Sequence, residues 1–192
     1  MPTIRTFIAI ELTAPILERL GDLQSRMQRD LPPKFLRWVR PEGIHLTLTF
    51  LGDIPLEQVD PIAEALGEAC AGHAPFAVSI AGMGCFPNTR RPRVVWIGVE
   101  EPSGALARLQ REIGEALKPL GFRPEARGFS PHLTLGRVKG GGRQAMEALG
   151  AYVERARVRL GEMRVETVHL MRSDLLPSGA VYTELAIVPL EG

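Results

Sequence analysis

Two cysteines, Cys70 and Cys85, are all that this 192-residue chain contains. They show no Cys-x-x-Cys spacing, so neither a zinc knuckle nor a disulfide framework is expected, and both read as small core residues. Net charge is nearly absent, at +1. That excludes a protein that coats long stretches of nucleic acid, which needs a broad basic surface, but not one that recognises a single terminus. Lysine is scarce, with 3 against 20 arginines. Arginine offers a rigid bidentate fork for phosphate, although the overall skew reads as the codon bias of a GC-rich genome. No apolar run approaches the roughly 20 residues needed to span a bilayer. The opening stretch Met1–Ile10 has no secretory layout and reads as entering a strand directly, so the cytoplasm is the expected location. Histidine is sparse too, with four in the whole chain.

What is present is ordinary for a globular protein: 45% hydrophobic and 23% charged residues. The length suits one large domain or two small lobes sharing a core. Strand and helix patterns alternate. Thr3–Leu12 reads as a strand, and Ala14–Arg29 as a helix with Ile16, Leu17, Leu20, Leu23 and Met27 at helical spacing, Thr13 at its N-cap and Pro15 in its first turn. Pro32-Pro33 ends it. Phe35–Val39 and Ile44–Leu51 read as strands and Leu56–Ala71 as a helix. Phe76–Ile80 and Arg93–Val99 read as strands separated by a turn-rich loop, Gly82–Pro92. Gly104–Leu120 is a helix ended by Gly121, His132–Val138 a strand, and Arg143–Val153 a short helix. Three β-rich stretches follow: Arg155–Leu160, Val165–Ser173 and Ala180–Val188.

Within this pattern the tetrapeptide His-Leu-Thr-Leu occurs twice, at His45–Leu48 and His132–Leu135. Two of the four histidines therefore occupy the same position of a repeat. Side chains alternate faces along a strand. His45 and Thr47 share one face, His132 and Thr134 share one face, and the leucines turn to the other. The copies lie 87 residues apart (45 to 132), close to half the chain, and each half carries a long helix and a motif strand. The pattern predicts two α+β lobes related by a pseudo-two-fold, with the motif strands facing each other across a cleft.

Two imidazoles with ordinary pKa values near 6.5 can share acid and base roles at neutral pH. One takes a proton from an attacking water while the other protonates the departing oxygen. The Thr47 and Thr134 hydroxyls can donate hydrogen bonds to phosphate oxygens as charge develops. Such a set suits phosphodiester cleavage without a metal. A zinc site would need further carboxylate, Cys or His ligands that the motif faces do not offer, since His73 and His169 stand in unrelated contexts. No Gly-x-Ser-x-Gly elbow is present either.

The chain resembles the two-histidine phosphoesterases, defined by two His-x-Thr-x motifs. Within them it is most similar to the bacterial and archaeal RNA 2′,3′-cyclic phosphodiesterases, also called 2′–5′ RNA ligases. The resemblance extends over the opening Arg5–Ile10, Arg37-Trp38-Val39, His45–Gly52, Phe86-Pro87, Arg93–Trp96, Phe129–Arg137, and the late Ser173, Gly179 and Tyr182. It implies hydrolysis of RNA 2′,3′-cyclic phosphate ends to 2′-phosphomonoesters without cofactor or metal, and a reversible 2′–5′ joining activity. By analogy His45 is the proton donor and His132 the proton acceptor, although the symmetry of the sequence assigns neither role. Thr47, Thr134 and Arg137 hold the phosphate. The expected architecture is one bilobal domain over residues 1–192, with antiparallel sheets, outer helices and a central cleft. The expected partner is an RNA end or oligonucleotide bearing the cyclic phosphate. The chain is expected to act as a monomer.

Strict alternation puts Arg137 on the face opposite His132 and Thr134, so it reaches the site only if the strand ends or bulges at Gly136. Phe50, Trp38 and Phe129 are candidates for stacking on a base, with core roles expected for at least two of them. Arg90, Arg91 and Arg93 flank a Pro-rich loop, and Arg127 can line the cleft mouth. Two other functions compete: a phosphodiesterase of the same superfamily acting on a small cyclic nucleotide or ADP-ribose cyclic phosphate, and an RNA-binding module that has lost its chemistry.

Overall fold

The computed structural model describes residues 2–123, 128–177 and 179–192. Nine strands form two antiparallel sheets among these residues. The first has the order β3 (Leu46–Pro55), β1 (Thr3–Ile10), β8 (Thr167–Leu176), β9 (Gly179–Pro189). The second has the order β2 (Leu36–Trp38), β6 (His132–Val138), β5 (Val94–Glu100), β4 (Phe76–Phe86), β7 (Arg159–Val165). The helices are α1 (Ala14–Asp30), α2 (Val59–Cys70), α3 (Ala105–Leu117) and α4 (Arg143–Arg155). This is the α+β architecture the repeat predicts.

The helices form where apolar residues recur at helical spacing. Ile16, Leu20, Leu23 and Met27 are the buried stripe of α1, and Leu106, Leu109, Ile113 and Leu117 that of α3. Thr13 sits at the N-cap of α1 without a capping side-chain bond, and a proline occupies the first turn. One apolar cluster takes in Ile8, Ile10, Leu46 and Leu48 from the first sheet and Val95, Ile97, Leu133 and Leu135 from the second, together with the helix stripes. The motif leucines are thus core residues, 0–4% exposed, while the motif histidines and threonines on the alternate positions remain partly accessible. Both cysteines are buried and free.

Each motif strand lies beside an equivalent neighbour, β3 on β1 and β6 on β5. The second sheet has one strand more. β2 comes from the chain just before His45, yet it pairs with β6, which carries His132. From β2 the chain passes through a short 3₁₀ turn, Pro41–Gly43, into the first motif. β2 therefore fixes the two motifs relative to each other. The buried Gln24 of α1 reinforces this seam, its side-chain amide donating to the carbonyls of Val39 at 2.7 Å and Leu135 at 3.0 Å.

Several expected boundaries shift. β3 runs over Leu46–Pro55 in place of Ile44–Leu51, so His45 lies just before the strand, at the end of the turn that leads into it. β4 does not stop at Ile80 but continues to Phe86. Gly82, at φ +76°, accommodates a register shift between Ile80 and Met83 and does not end the strand. β7 starts at Arg159, because α4 runs on to Arg155 through residues expected to be extended.

Candidate active site

Both motifs carry the same irregularity. On β1–β3, Ala9 pairs with Thr47 and Ile8 with Thr49, so Leu48 is bulged. On β5–β6, Trp96 pairs with Thr134 and Val95 with Gly136, so Leu135 is bulged. A bulge reverses the alternation beyond it. Antiparallel partners share a face, and Val94, Trp96 and Gly98 alternate regularly, pairing with Arg137, Thr134 and His132. Arg137 therefore returns to the face of His132 and Thr134. By the same step Phe50, paired with Phe7, lies on the face of Thr47. It is 58% exposed. Trp38 and Phe129 instead pack partly buried against the core.

Each histidine sits in an aromatic cradle. His45 stacks on Phe7 with ring centroids 4.5 Å apart and meets the edge of Tyr182 at 4.9 Å. His132 meets Phe86 edge-on at 4.8 Å and lies 6.3 Å from Trp96. His132 Nδ1 donates to the carbonyl of Ser130 at 2.7 Å, which leaves Nε2 free to take a proton. His45 has the corresponding contact two residues back, with the backbone of Gly43. Burial pushes the His45 imidazole down to about 4, and the Gly43 hydrogen bond opposes this only in part.

Tyr182 of β9 packs beside the first motif. Its ring touches Phe7 of β1 and His45, which precedes β3. Burial raises its hydroxyl pKa, while the guanidinium charges of Arg137, from the second sheet, and Arg5 pull it down. β3 and β6, from different sheets, approach each other in space.

A feature the sequence reading missed adjoins the site. His169 pairs with Ala9 in register, which puts it on the face of Phe7. Its Nδ1–H donates to Glu184 Oε2 at 2.6 Å, and Nε2 lies 2.9 Å from the Thr167 hydroxyl. Burial raises the Glu11 carboxyl; the nearby His169 opposes this and Glu184 adds to it. Across the chain, no group of three or more His, Cys, Asp or Glu side chains that could hold a metal occurs among the described residues. Arg90 and Arg91 belong to a turn in which their backbone N–H groups donate to Asn88 Oδ1, each at 3.0 Å. Arg127 lies outside the described residues. A concavity of about 640 Å³ lined by Arg26, Asp30 and Tyr152 includes no motif residue.

The model of the LigT like Phosphoesterase family matches this chain twice, over residues 10–96 and 97–182. The chain belongs to this family. The two matches divide it between the two motifs. An RNA 2′,3′-cyclic phosphodiesterase of Methanothermobacter thermautotrophicus is 38% identical, covering 97% of this chain and 99% of the relative. One from Archaeoglobus fulgidus is 36% identical, covering 96% and 99%. Among solved structures, TT0787 of Thermus thermophilus superposes with a TM-score of 0.81 at 31% identity, over 98% of this chain and 99% of that one. Escherichia coli LigT complexed with 3′-AMP superposes with a TM-score of 0.78 at 25% identity, over the full length of both.

Proposed function

We propose that this chain hydrolyses the 2′,3′-cyclic phosphate at an RNA end to a 2′-phosphomonoester. Family membership and the full-length relatives named RNA 2′,3′-cyclic phosphodiesterase support the activity. The observation that supports the mechanism is that each motif sets its histidine in an equivalent aromatic cradle, Phe7 and Tyr182 around His45 and Phe86 and Trp96 around His132.

His132, with Nδ1 tied to Ser130, takes a proton at Nε2 from the attacking water. The water oxygen forms its bond to phosphorus as the bond from phosphorus to the 3′ oxygen breaks. His45 gives its proton to that departing oxygen. A desolvated imidazole holds a proton poorly, so charged His45 is a strong acid, and the anionic phosphate supplies the counter-charge that lets it load. The Thr47 and Thr134 hydroxyls and Arg137 hold the non-bridging oxygens, and exposed Phe50 offers a stacking face to the terminal base. With a 5′-hydroxyl in place of the water, the same steps join two RNA ends through a 2′–5′ linkage. One chain supplies both imidazoles, so the acting unit in this reading is a monomer working as one bilobal domain. Buried, unpaired cysteines fit the reducing cytoplasm. No helix among the described residues is long and apolar enough to cross a membrane.

The test is turnover, in the presence of EDTA, of an oligoribonucleotide ending in 2′,3′-cyclic phosphate, with the product's phosphate position identified. The expected product is the 2′-phosphate. Faster turnover of a mononucleotide or of ADP-ribose cyclic phosphate would move the substrate to a small molecule. Binding without turnover would make the chain an RNA-binding module.

A further inference from the structure

Arg37 adds a second cation beside Arg137. The two are direct partners in the β2–β6 pairing, so their side chains leave the same face with Cβ atoms about 5 Å apart. That face is the one carrying His132 and Thr134, because Arg137 returns to it at the Leu135 bulge. The burial pattern of β2 agrees. Leu36 is in the core at 6% exposure, and Arg37, the next residue, is exposed. Like charges placed directly opposite each other on a sheet are destabilising. The ion pairs among the described residues involve other side chains, and neither Arg37 nor Arg137 takes part in one. A fold that keeps two guanidiniums adjacent on the site face has a place for more than one negative charge.

The charges at the site indicate which anion fills it. A cyclic phosphodiester carries a single negative charge. In the reaction proposed above, Arg137 and the loaded His45 already face that charge. Arg37 lies one strand further out, on the sheet edge, with the next strand inward carrying Thr134. It is therefore in excess for the reacting phosphate and suitably placed for a neighbouring one. β2 is joined to His45 by the short Pro41–Gly43 turn and is paired with the strand of His132, so Arg37 is tied to both motifs.

We propose that Arg37, beside Arg137, is the contact for the phosphodiester immediately 5′ of the cyclic end, which makes this site selective for oligonucleotides over mononucleotides. The inference rests on the activity proposed above and adds to it the substrate's length.

The experiment compares the wild-type chain with Arg37→Gln and Arg37→Lys on two substrates, a nucleoside 2′,3′-cyclic phosphate and a dinucleotide ending in the same group. Thermal melting of each variant verifies folding. The expected result is a wild-type preference for the dinucleotide, expressed in KM, that falls about tenfold in Arg37→Gln and is largely kept in Arg37→Lys. On longer single strands the slope of log kcat/KM against log salt should shrink by about 0.7 in Arg37→Gln, the loss of one phosphate contact. A second arm measures binding of the 2′-phosphate products, mono- and dinucleotide, without turnover, and the same selective weakening is expected. Equal losses on both ligands, or none on the dinucleotide, overturn the inference. A wild-type chain inert on both cyclic substrates would refute the proposed activity, and the binding arm would then decide the second phosphate contact alone.

Discussion

His45 should titrate far below an ordinary histidine in the free protein, and the consequence can be read in both stability and rate. Packed against Phe7 and Tyr182, the ring loses hydration that the charged form needs, and burial pushes it down to about 4 from 6.5. The gap corresponds to at most about 3 kcal/mol, because the ring retains partial exposure. The sign follows from proton binding. Between pH 4 and 6.5 the unfolded chain binds a proton at this position and the folded chain does not, so stability is complete above about 6.5 and falls as pH drops through 4. The perturbation is His45→Gln, which removes the titrating group. Urea unfolding of both forms from pH 4 to 7 should show the wild type losing up to that amount more than the variant. NMR titration of the ring should place His45 near 4 in the free chain and higher when a 2′-nucleotide adds its negative charge. The rate should be bell-shaped in pH, because one imidazole must be charged and the other neutral, with apparent pKa values that belong to the pair. The acid limb of kcat/KM should lie near 4 and that of kcat higher. A His45 that titrates near 6.5 without ligand, or identical pH dependence of stability in the two forms, refutes the reasoning.

His45→Ala and His132→Ala should each lower hydrolysis by at least about 10²-fold with melting temperatures near wild type; near-normal turnover in either, measured on an RNA cyclic phosphate, would rule out the paired-imidazole mechanism. Thr47→Val and Thr134→Val keep shape and β-branching and should each cost roughly 2–4 kcal/mol of transition-state stabilisation, seen in kcat. The double variant should be less than additive, and unaltered turnover in both single variants would reduce the threonines to strand formers. Gly84→Ala would drive a Cβ into the Trp96 indole, which lies beside His132. Melting should report a cost of about 1–3 kcal/mol together with a drop in kcat, and an unchanged melting curve would mean that the ring moves aside freely.

The two motif strands were legible because their signal is local. Alternation separates His132 and Thr134 from Leu133 and Leu135, and β6 begins and ends where the pattern does. Helices α1 and α3 were legible for the same reason. Non-local pairing was not. Phe7 and Tyr182 are 175 positions apart, and the pairing of β1 with β8 and of β8 with β9 brings them to one histidine. His169 reads as isolated in sequence and becomes a neighbour of the site only through the β1–β8 register. Gly82 and Gly84 carry a turn signature, yet in β4 the first relieves a bulge and the second leaves room for Trp96. Arg137 shows the limit most clearly, since strict alternation gives the wrong face and a single bulged residue restores the right one.

That bulge also shows how a repeated unit can serve an unsymmetrical substrate. The repeats agree in His and Thr, the groups that the proposed reaction would use in pairs: two proton carriers and two donors to phosphate oxygens. Three residues past each threonine, just beyond the shared bulge, the same position on the site face carries Phe50 in one copy and Arg137 in the other. One offers an apolar plane and the other a guanidinium. An RNA end brings a flat base and a charged phosphate, which lie to different sides of the bond that breaks. In the proposed reading the pseudo-symmetry serves the chemistry, and the single exchange of Phe for Arg at equivalent positions orients the nucleotide, so that one imidazole faces the water and the other the departing 3′ oxygen.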